Sequence, residues 1–334
     1  MKPLFHPRLV NDPFGDPALY IDFLFERRAL LFDLGDLSPL SARQLLKVDH
    51  AFVSHTHMDH FVGFDALLRI LLGREKTLNL FGPPGFLDQV EHRLASYTWN
   101  LVANYESDFV IRATEAHPDG RRVSAELRTR TGFRREDLPS RELADGLLVE
   151  EETFQVRTAF LDHGIPCMAF ALEEKLHVNI WKSGLEELGL PTGPWLREVK
   201  YAALRGEPDA TLFRAGEREV TLEELKDKVL RVVPGQKVAY VTDVGWSADN
   251  AAAIVDLARG ADVLFIESAF IHDEERRAAE KRHLTSRQAG LLAREAGAKR
   301  LVPFHFSPKH QDDEERLLRE ALEAFEEPGV ETPG

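Results

Sequence analysis

The chain has 334 residues but a single cysteine, Cys167, and only three methionines. One cysteine excludes a disulfide framework and points to a reducing compartment. Positive charge is also scarce. Lys and Arg total 42 against 56 Asp and Glu, a formal net charge of −14. That balance argues against binding nucleic acid through overall basicity, though not against a local basic patch. Long hydrophobic runs are missing. The most apolar stretches, 61–72 and 262–270, are short or broken by Asp65, Arg69 and Glu267, and neither could span a bilayer. The opening "MKPLFHPRLVNDPFGD" lacks the apolar core of a signal peptide. These absences lead us to expect a cytoplasmic protein with no membrane partner. The remaining composition, 43% hydrophobic and 29% charged, fits a globular chain with a sizeable core.

Hydrophobic patterning organises the chain into two similar halves. "ALYIDFLF" and "RALLFDLG" read as a strand hairpin around Glu26 and Arg27. "DHAFVSH" is a short buried strand, "FVGFDALLRILLG" has helical spacing up to Gly73, and "TLNLFGPPG" is a strand leading into a helix near 86–95. Residues 107–172 are rich in strand patterns separated by charged turns. The stretch 175–235 is mixed in charge and punctuated by "GLPTGPW", so it reads as an irregular excursion from the main body. Beyond it, "KVAYVTDVG", "ADVLFIESA" and "KRLVPFHFS" are strands alternating with the helices "SADNAAAIVDLARG", "TSRQAGLLAREAG" and "QDDEERLLREALEAF". Strand blocks followed by helix–strand alternation in both halves predict an α/β fold, two packed sheets with helices outside.

The densest chemistry is "SHTHMDHF". His55, His57, Asp59 and His60 offer four ligands within six residues, directly after a buried strand and before a helix. Imidazole and carboxylate together suit zinc and similar divalent metals. One loop rarely completes two metal sites, and three further residues stand at strand ends followed by turns, where α/β scaffolds build sites. These are His163 in "FLDHGIP", Asp243 in "AYVTDVGW" and His305 in "LVPFHFS". Asp243 is the carboxylate suited to bridging two metals.

The order His55-x-His57-x-Asp59-His60, then His163, Asp243 and His305, resembles the metallo-β-lactamase superfamily. Within it, the chain over about 18–325 is most similar to ribonuclease Z, the tRNA 3′-processing endonuclease. "FLDHGIPCMAFALEE" is similar to that family's third-histidine segment, "ELGLPTGPW" to the Gly-Pro motif of its protruding arm, and "HLTSRQAG…LVPFHFSPKH" to its late histidine segments. The resemblance implies an αββα sandwich formed by one domain, 1–334, with a protruding arm inserted at 177–215. It implies that His55, His57 and His163 hold one metal and Asp59, His60 and His305 the other, with Asp243 shared. The metals are expected to be zinc, with manganese and iron as alternatives. The family further implies a homodimer acting on tRNA precursors.

A dinuclear centre of this kind suits in-line displacement at phosphorus by a metal-bound hydroxide. Asp59 can ligate and also take a proton from the nucleophile. The leaving oxygen needs a proton, and His283 in "EKRHLTSRQAG" is the late histidine not used as a ligand. It precedes a helix start, where Thr285 and Gln288 read as a capping box. It also occupies the family's matching position. Glu267 in "IESA" is the carboxylate expected to keep His283 protonated. The leading expectation is therefore a dinuclear zinc phosphodiesterase that removes 3′ trailers from precursor tRNA. The alternative is the same chemistry on a small phosphodiester or another ester. The chain departs from the family in four places: "HPRLVNDPFGD" replaces a Gly-rich turn, "VTDV" around Asp243 replaces "SGDT", Leu284 stands where a serine is usual, and 96–150 is long. On the arm, Arg197, Lys200 and Arg205 could form a basic patch, diluted by Glu198 and Glu207.

Overall fold

The computed structural model describes residues 4–24, 26–142 and 144–327. They form two compact units. The larger comprises Phe5–Leu148, Val156–Leu172 and the chain from Lys237 onward, and the smaller is built mainly from Val149–Gln155 and Glu173–Gln236.

The first half of the larger unit is one sheet with helices on its outer face. Strands β1 (Phe5–Leu9), β2 (Leu19–Phe23) and β3 (Ala29–Phe32) run antiparallel in succession. Strand β3 then pairs in parallel with β4 (Val48–Phe52), β4 with β5 (Lys76–Gly82) and β5 with β6 (Phe109–Ala116). The edge is completed by β7 (Arg121–Arg128), β8 (Arg135–Asp137) and β9 (Arg141–Glu142). Connecting segments carry α1 (Ala42–Leu45), α2 (Met58–Phe61), α3 (Phe64–Leu71) and α4 (Phe86–Ala95). Alternation along each strand sorts its side chains. Leu31, Ala51, Val53, Leu80 and Ile111 join a core with Leu67, Leu71, Phe86 and Val90 of the helices.

The second sheet begins with β10 (Leu147–Glu150), β11 (Phe154–Asp162) and β12 (Pro166–Glu174). The chain then enters the smaller unit. Here β13 (Leu176–Ile180) is followed by α5 (Lys182–Glu187), α6 (Trp195–Leu204), β14 (Leu212–Ala215), β15 (Arg218–Thr221), α7 (Leu222–Lys228) and β16 (Leu230–Pro234), with β13 paired to β16 and β14 to β15. The sequence pattern suggested an irregular excursion. Instead this unit has its own core of Val178, Leu185, Val199, Leu222, Leu225 and Leu230. Apart from the ten-residue α6, its elements run four to seven residues, too short to display a period. "GLPTGPW" ends one helix and starts another: Gly189 takes φ +64 behind α5, and Pro194 caps α6.

Back in the larger unit, β17 (Lys237–Val241), β18 (Val263–Glu267) and β19 (Leu301–Phe304) pair in parallel and complete the sheet in the order β10-β11-β12-β17-β18-β19. Their outer side chains, including Ala239, Val241, Leu264 and Ile266, pack on α8 (Ala248–Ala258), α10 (Ser286–Glu295) and α11 (Glu314–Glu326), with the short α9 (Glu275–Lys281) before α10. Inner side chains meet the first sheet through aromatic rings. Phe32 stacks on Phe170 at 5.3 Å, and Tyr240 lies 5.7 Å from Phe32. Two sheets face to face with helices outside make the α/β sandwich expected from the pattern.

One local break positions the site. The helical spacing of 61–73 does not yield a single helix, because Gly63 separates α2 from α3. Its N–H donates to the Leu34 carbonyl at 2.8 Å, while Leu34 N–H donates to the His60 carbonyl at 2.9 Å. A Cβ on Gly63 would lie 2.1 Å from the Gly35 carbonyl. The close approach requires glycine and clamps the ligand-rich turn against the end of β3.

Candidate metal centre

All nine residues singled out from the sequence converge at one end of the larger unit, at or beyond the C-terminal ends of β4, β11, β17, β18 and β19. His55, His57, His163 and Asp243 present ligand atoms within 4.8 Å of one another, and so do Asp59, His60 and His305. Asp243 joins the two groups. Its Oδ2 lies 3.6 Å from His55 Nε2 and 3.5 Å from His163 Nε2. Its Oδ1 lies 3.4 Å from His60 Nε2 and 3.1 Å from His305 Nδ1. One carboxylate thus turns one oxygen toward each histidine group. Asp59 Oδ2 sits 3.4 Å from both His60 Nε2 and His305 Nε2.

Local backbone geometry aims these side chains. Asp33, Asp243 and His305 adopt φ of +57, +32 and +58, in the left-handed region that non-glycine residues seldom occupy. Arg282, at φ +59, closes α9 and turns the chain toward His283. His163 lies in the tight turn between β11 and β12, and its Nδ1–H donates to the Arg282 carbonyl at 2.8 Å.

The charge balance fits a bound cation. His55 Nε2, His60 Nε2 and His305 Nδ1 are buried and have no hydrogen-bond partner, a costly arrangement unless something is coordinated there. Burial, helped by the like charge of His60, pushes His55 down to about 2, so its imidazole is neutral with a free lone pair. Burial opposes charge on His60, but Asp243 and Asp33 on either side overcome it and hold it well above the imidazole range. Burial likewise raises Asp243, but His305 and His60 outweigh it and hold it well below the carboxylate range. Asp59 is held down in the same way, against burial, by the facing His305 and His60. A neutral His55 beside ionised Asp243 and Asp59 belongs to the donor set that divalent metals take, and a bound cation would stand in for the proton that these carboxylates draw to His60. Cys167 does not compete: burial pushes its thiol well up, and its Sγ lies 3.8 Å from His55 Nδ1.

Asp33, Ser54 and Tyr240 form a supporting layer that the sequence reading did not single out. Asp33 is fully buried. Its carboxylate accepts from Ser54 N–H at 2.7 Å, Ser54 Oγ at 2.9 Å, His60 Nδ1 at 2.9 Å and Tyr240 Oη at 2.9 Å. Ser54 Oγ is also 3.0 Å from His55 Nδ1. One carboxylate therefore orients a histidine from each group, the usual arrangement behind metal-ligating imidazoles. The available signal was the aspartate closing the apolar run "RALLFD". Replacing Asp33 with alanine removes the shared acceptor of four buried donors. The expected cost is about 3 kcal/mol or more of stability and about 10–100-fold in metal affinity. Denaturant unfolding and chelator competition measure the two effects, and unchanged metal affinity would reduce Asp33 to a filler of space.

His283 and Glu267 meet beside the centre. His283 Nδ1 lies 3.0 Å from Glu267 Oε2, and Glu267, fully buried at the end of β18, also accepts from Val244 N–H at 2.7 Å. Burial pulls the His283 imidazolium down, but the facing Glu267 charge outweighs it and lifts His283 to about 9. Its ring stands 4.9 Å from His163 and 5.7 Å from His305, centroid to centroid. Leu284, where serine is usual, is buried in the core beneath α10, so this departure serves packing. Thr285 and Gln288 do form the capping box.

Comparison with known proteins places the chain. Residues 228–306 match the family described as Beta-lactamase superfamily domain. Over 322 residues, 95% of this chain and 94% of the relative, it is 30% identical to ribonuclease Z of Deinococcus radiodurans. The chain belongs to the ribonuclease Z family. It is accordingly a metal-dependent hydrolase. Ribonuclease Z of Myxococcus xanthus is 31% identical over 90% of this chain and 84% of its own. Among solved structures, the short form of human tRNase Z superposes with a TM-score of 0.53 at 20% identity, covering 91% and 93% of the two chains. The fold protein YhfI of Bacillus subtilis reaches 0.54 at 17% identity over 93% and 86%. Both confirm the metallo-β-lactamase fold.

Proposed function

We propose that the protein is a phosphodiesterase of ribonuclease Z type that holds two divalent metal ions, zinc foremost, and hydrolyses the 3′ trailer of tRNA precursors. The observation carrying this reading is Asp243, with one oxygen toward each of two histidine groups. When bound, the two ions supply charge that polarises a phosphoryl group and brings the pKa of water toward neutrality. His55, His57 and His163 would hold one ion, Asp59, His60 and His305 the other, and Asp243 both. Asp59 receives the proton of the attacking water. His283 carries its proton at Nε2, the ring nitrogen left free by Glu267, and delivers it to the leaving oxygen.

The smaller unit, which includes 177–215, serves in this reading as the arm that holds RNA. Its charges do not form the simple patch considered from sequence. Arg205 is bonded to Glu152 and Glu207, Arg197 lies over the Tyr201 ring, and Lys200 is half-buried. A homodimer in the cytoplasm completes the proposal. The lone cysteine supports that compartment, and among the described residues no helix is long and apolar enough to cross a membrane.

The test is a substrate panel on the intact protein and on an arm-less variant. Glu174 N–H donates to the Gln236 carbonyl at 2.8 Å, so residues 176–234 can be replaced by a short linker without separating these ends. Turnover of trailer-bearing pre-tRNA is expected to fall about 100-fold relative to a small chromogenic diester, the scale of loss from misplaced substrate. An intact protein that cuts the small diester and leaves pre-tRNA untouched would instead be a small-phosphodiester hydrolase.

A further inference from the structure

The segment "NDPFGD", where the chain departs from its family's Gly-rich turn, builds a wall beside the metal centre. Phe14 N–H donates to Asp12 Oδ1 at 2.9 Å, and Asn11 Nδ2 donates to the Asp36 carbonyl at 2.9 Å. Phe306 N–H donates to the Pro13 carbonyl at 2.7 Å. The Phe14 ring rests edge-to-face on Phe306, centroids 5.3 Å apart, directly next to His305. Phe14 is therefore a half-buried aromatic fixed from behind.

Phe14 lines a cleft of about 330 Å³ that also reaches Asp59, His283 and His305. Arg277 and Lys281 line the same cleft. They stand four residues apart on α9, hence on one helix face. Both are exposed, and neither forms an ion pair among the described residues. Their neighbours Arg276 and Arg282, by contrast, are bonded to Glu280 and Asp162. A fixed aromatic face, two exposed cations and the reactive groups thus share one cavity at the small end of ligand-site sizes. It is too small for folded RNA and suited to a single nucleotide.

We propose that this cleft is a nucleotide subsite adjoining the bond that is cut, with a base stacked on Phe14 and a backbone phosphate held by Arg277 and Lys281. Asp16, the other carboxylate in the cleft besides Asp59, faces a sugar hydroxyl, since it can only accept. The subsite rests on the phosphodiesterase reading and assigns part of its substrate contact.

Calorimetry on metal-loaded protein compares adenosine 5′-monophosphate with inorganic phosphate. The wild type should bind the nucleotide more tightly. Phe14→Leu should lose roughly 10-fold of nucleotide affinity, as stacking contacts do, with phosphate affinity unchanged, and Phe14→Tyr should restore it. The Arg277→Ala, Lys281→Ala double variant should raise KM for pre-tRNA and flatten the log–log salt dependence of its binding by about 0.7, the release expected for one single-strand phosphate contact. No nucleotide preference in the wild type, or equal losses of both ligands in Phe14→Leu, would overturn the subsite. If pre-tRNA is not cut but the nucleotide preference depends on Phe14, the subsite stands and the tRNA reading fails. If pre-tRNA is cut with wild-type KM and salt dependence by all these variants, the reverse holds.

Discussion

Asp243→Asn is expected to reduce bound metal from two ions per chain to one or fewer and to cut phosphodiester turnover by at least about 1000-fold. The size follows from the several kcal/mol of charge stabilisation that a metal supplies, at tenfold for each 1.4 kcal/mol. Asparagine keeps the shape and removes the charge. Asp243 is buried, and its two oxygens reach His55 and His163 on one side and His60 and His305 on the other. Without its charge, the three unpartnered imidazole nitrogens have no shared counter-ligand, so both positions weaken together. Metal analysis after dialysis, with folding checked by circular dichroism, reads the outcome. Two retained ions at wild-type affinity would mean that Asp243 does not bridge them.

His283→Ala should behave differently. Turnover is expected to fall about 100- to 10,000-fold, the range for removing a general acid, while bound metal is unchanged. His283 also lies within ligand distance of Asp243 and His305, so metal content decides between the roles. Loss of metal would make it a ligand. Its pH signature is separate. A general acid works below its own pKa, and Glu267 holds His283 up at about 9 against the pull of burial. Turnover should therefore persist through neutrality and fall as pH rises through that value. Glu267→Gln removes the raising charge and leaves the burial. The descending limb should move to lower pH, and a limb that stays in place would exclude His283 as its source.

The site shows which parts of a centre a sequence displays. His55, His57, Asp59 and His60 are legible because four ligands crowd six positions. His163, Asp243, Glu267 and His305 are legible because each interrupts or ends an apolar strand, where a polar residue has no packing role. Asp33 and Tyr240 were not read. Each belongs to an apolar run and touches the centre only through bonds made across the sheets, Tyr240 reaching Asp33 at 2.9 Å over a separation of 207 residues. Phe14, Arg277 and Lys281 were equally silent, since an aromatic in a turn and cations on a short helix are ordinary until one cleft joins them.

By itself, then, the amino-acid order determined the alternating strands and amphipathic helices, the α/β class, and which ligand types the chain could offer. These depend on composition and short periods, and both are local. The tertiary structure decided that Asp243 turns one oxygen to each histidine group, that Glu267 is buried against His283, and that residues 176–234 close over a core of their own. These outcomes depend on distances between residues far apart in the chain. Such distances are set by how two sheets pack and by backbone turns, such as those at Asp33, Asp243 and His305, that only the surrounding structure holds in place.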